Sequence, residues 1–218
     1  FCKRLGVELR ILEADVASMQ QKHESLEECA RRVRYDFFAE VSDGKKLATA
    51  HNSNDCAETV LLNLMRGTGL KGLCGVPPVR GNIIRPLIFC TREEVEEYCQ
   101  SRGLSWVTDK TNLSTDYTRN KIRHIILPEM LKINGSLFST MNRMEQSLRD
   151  DSDFLDDMAR QTLSEAETTV RLRTPGEEDI WELQPAWSAE KLAKLPKPVQ
   201  SRAIKLILQS GGIEPLSL

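Results

Sequence analysis

The sequence predicts an α/β protein, with a doubly wound, mainly parallel sheet over residues 1–134 and a smaller, mostly helical domain over residues 135–218. Three observations predict it. Short apolar runs alternate with amphipathic helical stretches through the first domain, the pattern of parallel strands joined by right-handed crossovers. A polar stretch rich in carboxylates, His51-Asn-Ser-Asn-Asp55-Cys-Ala-Glu58-Thr59, lies where one such run ends and a helix begins. Ligands bind at that edge of open parallel sheets. Beyond Asn134-Gly135, residues Leu137, Met141, Met144, Leu148, Leu155 and Met158 recur at heptad-like spacing and predict one long helix, although Asp151 stands where an apolar residue was due.

Residues 1–5 read as the last turn of a helix, Gly6 as its stop and residues 7–12 as a strand. Because this start falls in the middle of an α/β unit, we expect a strand, a phosphate-binding loop and a helix to precede Phe1 in the natural chain. Ser25-Leu-Glu-Glu28 is a capping box opening a helix whose buried stripe is Leu26, Ala30, Val33, Phe37 and Val41, with Arg31, Arg32 and Arg34 on or beside the solvated face. Ser42-Asp-Gly turns the chain into a strand at residues 47–50. The helix after His51 carries Ala57, Val60, Leu61, Leu64 and Met65 on its apolar face and ends at Arg66-Gly67.

Gly67-x-Gly69-x-x-Gly72 has dinucleotide-loop spacing, but it follows a helix rather than a strand and is read as a flexible loop near the site. Residues 82–89 predict a strand running into an Arg85-Pro86 turn, and Thr91-Arg-Glu-Glu94 a second capping box. A polar loop from Asp109 then feeds a helix with Ile122, Ile125 and Ile126 buried, stopping near Pro128. Val170-Arg-Leu-Arg and Ile180-Trp-Glu-Leu, on either side of Pro175-Gly176, predict a small hairpin. Two helices follow, from Ser188 and from about Pro198, the second with Ala203, Ile204, Ile207 and Leu208 inward; Ser210-Gly211-Gly212 is its stop.

Charge is nearly balanced, with 30 basic against 32 acidic residues, so any nucleic-acid surface must be local. One basic cluster, Arg119, Lys121, Arg123 and His124, suits phosphate contact. Residues 150–182, eleven of them acidic and three basic, should avoid phosphates. The six cysteines contain no C-x-x-C and fit neither a zinc cage nor a disulfide framework, which points to reduced thiols, a cytoplasmic protein and no metal site of the chain's own. No apolar run approaches the length of a membrane span.

Asp55 and Glu58 are three residues apart, so on a helix they share a face and can both reach one cation, such as an amine. The spacing is equally that of a capping box with Asp55 as cap and Glu58 as return arm. Spacing alone leaves both readings open.

Several stretches together resemble one family, the tRNA(Ile)-lysidine synthases of the PP-loop ATP-pyrophosphatase superfamily, whose catalytic domain is Rossmann-like. They are His51-x-x-x-Asp55-x-x-Glu58-Thr59, Arg66-Gly-Thr-Gly-Leu-Lys-Gly-Leu, Ile84-Arg-Pro-Leu87, and Asp109-x-x-Asn112 leading to Arg119-Asn-x-Ile-Arg123. The likeness covers roughly residues 1–165. Asn52, Asn54 and Cys56 depart from the family's usual His, Asp and Gln.

The resemblance implies ligation of free L-lysine to C2 of the wobble cytidine in tRNA(Ile) with a CAU anticodon. ATP, with Mg2+, adenylates the C2 oxygen, and the lysine ε-amine then displaces AMP. At pH 7 only on the order of one lysine in a thousand has a neutral ε-amine, so the site must hold the ammonium and help it lose a proton. The resemblance gives that work to Asp55 and Glu58, sets His51 beside the base or the phosphates, and makes Arg123 the strongest candidate for transition-state charge. Arg31, Arg34, Arg119, Asn120 and Lys121 join Arg123 as candidates for tRNA or phosphate binding. A homodimer is left open. Competing readings are a non-catalytic nucleotide- or RNA-binding module, a helical interaction scaffold, and a PP-loop tRNA thiolase, which would want the cysteine pair this chain lacks.

Overall fold

The computed structural model describes residues 1–107, 118–173 and 181–212. They form two compact units: residues 1–52 with 77–90, and residues 53–76 with the chain from Thr91 onward.

In the first unit, α1 (Cys2–Leu5) ends at Gly6, whose left-handed backbone (φ 66°) closes the helix as expected. Residues 7–12, expected as a strand, make no ladder, and Val7, Leu9 and Ile11 stay exposed. A strand exists through hydrogen bonds to a neighbour, and none of the described strands pairs there. α2 (Leu26–Ser42) carries the predicted capping box: Ser25 accepts from the Glu28 backbone N–H, and Glu28 Oε2 accepts from Ser25 N at 2.8 Å. Its buried face centres on Cys29 and Val33, whereas Leu26 is exposed. The inward stripe is set by what packs on it: Cys29 Sγ reaches the Val16 carbonyl at 3.4 Å. Arg32, expected on the solvated side, forks onto Glu24 at 2.9 and 3.0 Å and holds that carboxyl down to about 2.

The unit's sheet has the order β1-β3-β2, where β1 is Leu47–Ala48, β2 is Val79–Arg80 and β3 is Ile83–Ile84. β1 and β3 are parallel, with Leu47 opposite Ile83, and β2 runs antiparallel to β3. Only β2 was not anticipated. Its two residues are too few to show an alternation of apolar and polar positions. The parallel pair and its intervening helices make this an α/β protein.

The second unit is mostly helical. α3 (Ser53–Arg66), α4 (Leu70–Leu73) and α5 (Arg92–Ser101, with its Thr91/Glu94 capping box) lead to α6 (Thr118–Lys121), a π-helical turn at Ile122–Ile126 and α7 (Leu127–Ile133). Pro128 was expected to stop this helix, yet the chain stays helical through it. Proline lacks an N–H and crowds the carbonyl four residues back. The π turn before it, closed by Leu127 N–H on the Ile122 carbonyl, supplies the extra residue that absorbs this misfit.

α8 (Leu137–Ala166) is the predicted long helix. Its Leu137, Phe138 and Met141 share a core with Ala57 and Val60 of α3, Ile122 and Leu127, so the compact units do not part at residue 134. Of the expected apolar stripes, Ile122 is fully buried while Ile125 and Ile126 are exposed, and on α3 Leu64 and Met65 are exposed too. The antiparallel hairpin of β4 (Glu167–Arg173) and β5 (Trp181–Trp187) matches expectation, and its Pro175-Gly176 turn lies outside the described residues. α9 (Ala189–Ala193) and α10 (Lys197–Ser210) complete a second core in which Ala159, Val199 and Ala203 are buried. Ile204, expected inward, is exposed, and Gly211 caps α10.

Candidate active site

α3 begins at Ser53, so Asp55 is already inside the first turn. It cannot be the residue that caps the helix, and the capping-box reading of Asp55 and Glu58 falls. The entry is held otherwise: Ser53 Oγ accepts from Asn142 Nδ2 of α8 at 3.1 Å, and Asn54 Oδ1 accepts from the Arg92 N–H at 2.9 Å. Thr59 Oγ1 donates to the Asp55 carbonyl at 2.8 Å, which leaves the Asp55 carboxylate to its own contacts.

Glu58 is fully buried, at 0% exposure. A carboxylate there requires counter-charge and hydrogen bonds to both oxygens, and two arginines supply them. Arg123 donates from Nε to Oε1 at 2.5 Å and from Nη2 to Oε2 at 2.9 Å; Arg119 donates from Nε to Oε2 at 2.7 Å. Asp55 Oδ1 lies 3.6 Å from Arg119 Nη2 and 3.7 Å from Arg123 Nη2. Its side chain is 23% exposed, against 33% for Arg119 and 21% for Arg123. Two carboxylates and two guanidiniums thus form a cluster of zero formal charge, open to solvent on the Asp55 and Arg119 side. The Glu58 hydrogen bonds raise the Arg123 pKa above its ordinary value, so that guanidinium stays charged.

Arg119 and Arg123 reach one partner because they are four residues apart on a helix. The same spacing turns Lys121 elsewhere, onto an exposed position, and buries Asn120. The expected patch of Arg119, Lys121 and Arg123 pointing one way is therefore split. His51, Arg31 and Arg34 belong to the first unit. His51 Nδ1 is 2.9 Å from Thr49 Oγ1. Arg31 lies over the Tyr35 ring at 4.7 Å, and Arg34 is exposed. The Asp109 and Asn112 motif positions lie outside the described residues.

A buried group escaped sequence reasoning. Glu145 of α8 is 4% exposed, its Oε1 finds no partner among the described residues, and burial pushes its pKa up to about 7. The signal was present: Glu145 follows Met141 by four positions and Leu137 by eight, so it lies on the buried stripe. Beside it, burial pushes the Cys56 thiol up to about 12. This thiol is inert at neutral pH. Among the described residues no group of His, Cys, Asp and Glu is placed to hold a metal ion, and no helix is long and apolar enough to cross a membrane.

A family model described as a PP-loop domain matches residues 1–130. The chain belongs to that PP-loop family. Its similar relatives include proteins named tRNA(Ile)-lysidine synthase in several bacteria. With the one from Thermosipho africanus the identity is 41% over 180 residues, covering 81% of this chain and 42% of the relative. With that of Clostridioides difficile it is 48% over 137 residues, 61% of this chain and 30% of the relative. With that of Geobacillus kaustophilus it is 34% over 229 residues, 99% of this chain and 47% of the relative. The chain thus spans less than half the length of these PP-loop relatives.

Proposed function

We propose that this chain is the part of a tRNA(Ile)-lysidine synthase that carries the lysine-handling carboxylate and its arginine pair. The Asp55–Glu58–Arg119–Arg123 cluster carries the reading, joined to relatives that bear that name over as much as 99% of this chain. ATP, accompanied by Mg2+, lysine and tRNA(Ile) with a CAU anticodon are the proposed substrates. The short parallel pair β1 and β3 belongs, on this reading, to a doubly wound sheet, and the protein works in the cytoplasm.

Two bonds change in each half of the reaction. The cytidine C2 oxygen attacks the α-phosphorus and pyrophosphate leaves; the ε-nitrogen of lysine then attacks C2, and AMP leaves with that oxygen. Asp55, reachable from solvent, meets the lysine ammonium and takes its proton as the nitrogen attacks. Glu58 is buried with its oxygens already accepting from arginine, so we assign it to fixing Arg119 and Arg123 rather than to gripping lysine. The two guanidiniums, Arg123 held by a fork of two bonds and Arg119 by one, face the charge that develops on the departing phosphate group. His51 we keep beside the nucleotide or base, and Arg31, Arg34 and Lys121 as tRNA-side residues, while the buried Asn120 supports the helix that carries Arg119 and Arg123.

The test is the full-length protein incubated with ATP, the CAU tRNA and labelled lysine. We expect label in the tRNA that depends on ATP, and a loss of at least a hundredfold in rate in Arg123→Ala. Binding of ATP and tRNA without lysine transfer would leave a binding module instead.

A further inference from the structure

A cavity of about 670 Å³ opens at the far end of α3, between the glycine loop and helices α8 and α10. Four cations from three helices line it: Arg66 of α3, Lys71 of α4, and Arg202 and Lys205 of α10. Among the described lining residues they face one carboxylate, Asp156, and Arg202 Nε already binds it at 2.8 Å. Lys71 Nζ stands 4.0 Å from the other Asp156 oxygen, with its side chain almost wholly in solvent. Neither Arg66 nor Lys205 has a hydrogen bond or ion pair among the described residues. The chain carries a net charge of −2, so this is a local excess of positive charge. The expectation that residues 150–182 repel phosphates does not extend to Asp156, whose charge Arg202 cancels.

Gly67, Gly69 and Gly72 lie among the cavity's lining. Gly67 turns the chain out of α3 in a left-handed conformation (φ 75°), and an added Cβ at Gly67 or Gly69 would meet no atom within 4 Å. A bulky anion can therefore approach this backbone closely. Arg66 and Lys205, without a partner among the described residues and set on separate elements around a polar cleft lined in part by glycine, suit several phosphates in a row better than one apolar ligand.

We propose that this cleft binds backbone phosphates of an RNA strand, as a contact separate from the Asp55 cluster; the inference rests on the reading that the protein acts on tRNA. Arg66 follows Asp55 by eleven residues on one helix, roughly 16 Å at 1.5 Å per residue. At the roughly 3 Å axial spacing of phosphates along a helical strand that is about five steps, a length within one RNA arm.

The experiment measures binding of the CAU tRNA to the full-length protein over a salt series, for the wild type and for Arg66→Gln/Lys205→Gln. Each lost phosphate contact lowers the slope of log affinity against log salt by about one. We expect the double variant to lose about two units of slope and, on the order of tenfold, affinity at 0.15 M salt, with an unchanged melting temperature and unchanged ATP binding. The control, Lys132→Gln/Lys194→Gln, neutralises two cations outside the cleft and should keep the wild-type slope. A wild-type slope in the double variant overturns the proposal, as does equal flattening in the control. Weakened ATP binding with unaltered tRNA binding also overturns it, by assigning the cleft to a free nucleotide. A wild type that binds no tRNA at any salt refutes the functional reading itself.

Discussion

Substituting Glu58 by Gln keeps the shape of the side chain and removes its charge. The amide must then face Arg119 and Arg123 with one oxygen and one NH2, where the carboxylate accepts three N–H bonds of 2.5 to 2.9 Å. At least one guanidinium N–H loses its acceptor. Breaking a buried ion pair from one side costs about 3–5 kcal/mol, and the partial exposure of both arginines argues for the lower end. At about 2–4 °C per kcal/mol for a chain of this size, Glu58→Gln should melt about 6–12 °C below the wild type. Asp55→Asn, at longer ion-pair distances and in contact with solvent, should cost under about 1 kcal/mol. Calorimetry or thermal circular dichroism on the two variants side by side decides the matter. A Glu58→Gln protein melting within 2 °C of the wild type would mean that Glu58 does not anchor the arginines, and would return it to the role of a lysine ligand.

Asp55→Asn should release pyrophosphate normally from ATP and tRNA yet raise the lysine concentration needed for transfer by roughly ten- to a hundredfold, the worth of one charge-assisted bond; normal transfer at low lysine removes Asp55 from the site. Glu145 holds a proton in the folded protein up to about pH 7 that an unfolded chain releases near 4.3. Wild-type stability should therefore fall as pH rises through that window, by about 4 kcal/mol in all. Urea denaturation at pH 5 and pH 8 should show Glu145→Gln free of that fall; an equal pH difference in the two proteins refutes it. Gly75 has a left-handed backbone (φ 64°), and an added Cβ would lie 2.6 Å from Glu145 Oε2. Gly75→Ala should cost about 1–2 kcal/mol in backbone strain alone, read from the same denaturation curves.

Features governed by neighbours in the chain were legible without coordinates. Both capping boxes, the Gly6 and Gly211 stops and the long α8 depend on contacts within a few residues, so the local sequence carried them; the β4/β5 hairpin pairs residues 8 to 20 positions apart and was legible from its turn. The family was legible too, from several stretches between His51 and Arg123 taken together. Which face of a helix is buried was another matter. On α3 the periodicity favoured Leu64 and Met65, but the π turn and α8 pack against its first half, at Ala57 and Val60, and Leu64 and Met65 stay exposed. Pro128 was read by its local rule, which the π turn before it relaxes.

The largest gap concerned Glu58. Its spacing from Asp55 fits a cap or a cation site equally well, and only the arrival of Arg119 and Arg123 from 61 and 65 residues away made it a buried anchor. The cation-lined cleft is of the same kind: Arg66 and Lys205 are 139 positions apart in the chain. Sequence by itself determined the local elements, the family and the residues able to do chemistry, because those rest on short-range geometry and on residue type. Tertiary structure decided which of those residues meet and which charges are cancelled, because burial and ion pairing depend on distances in space that the order of residues does not specify.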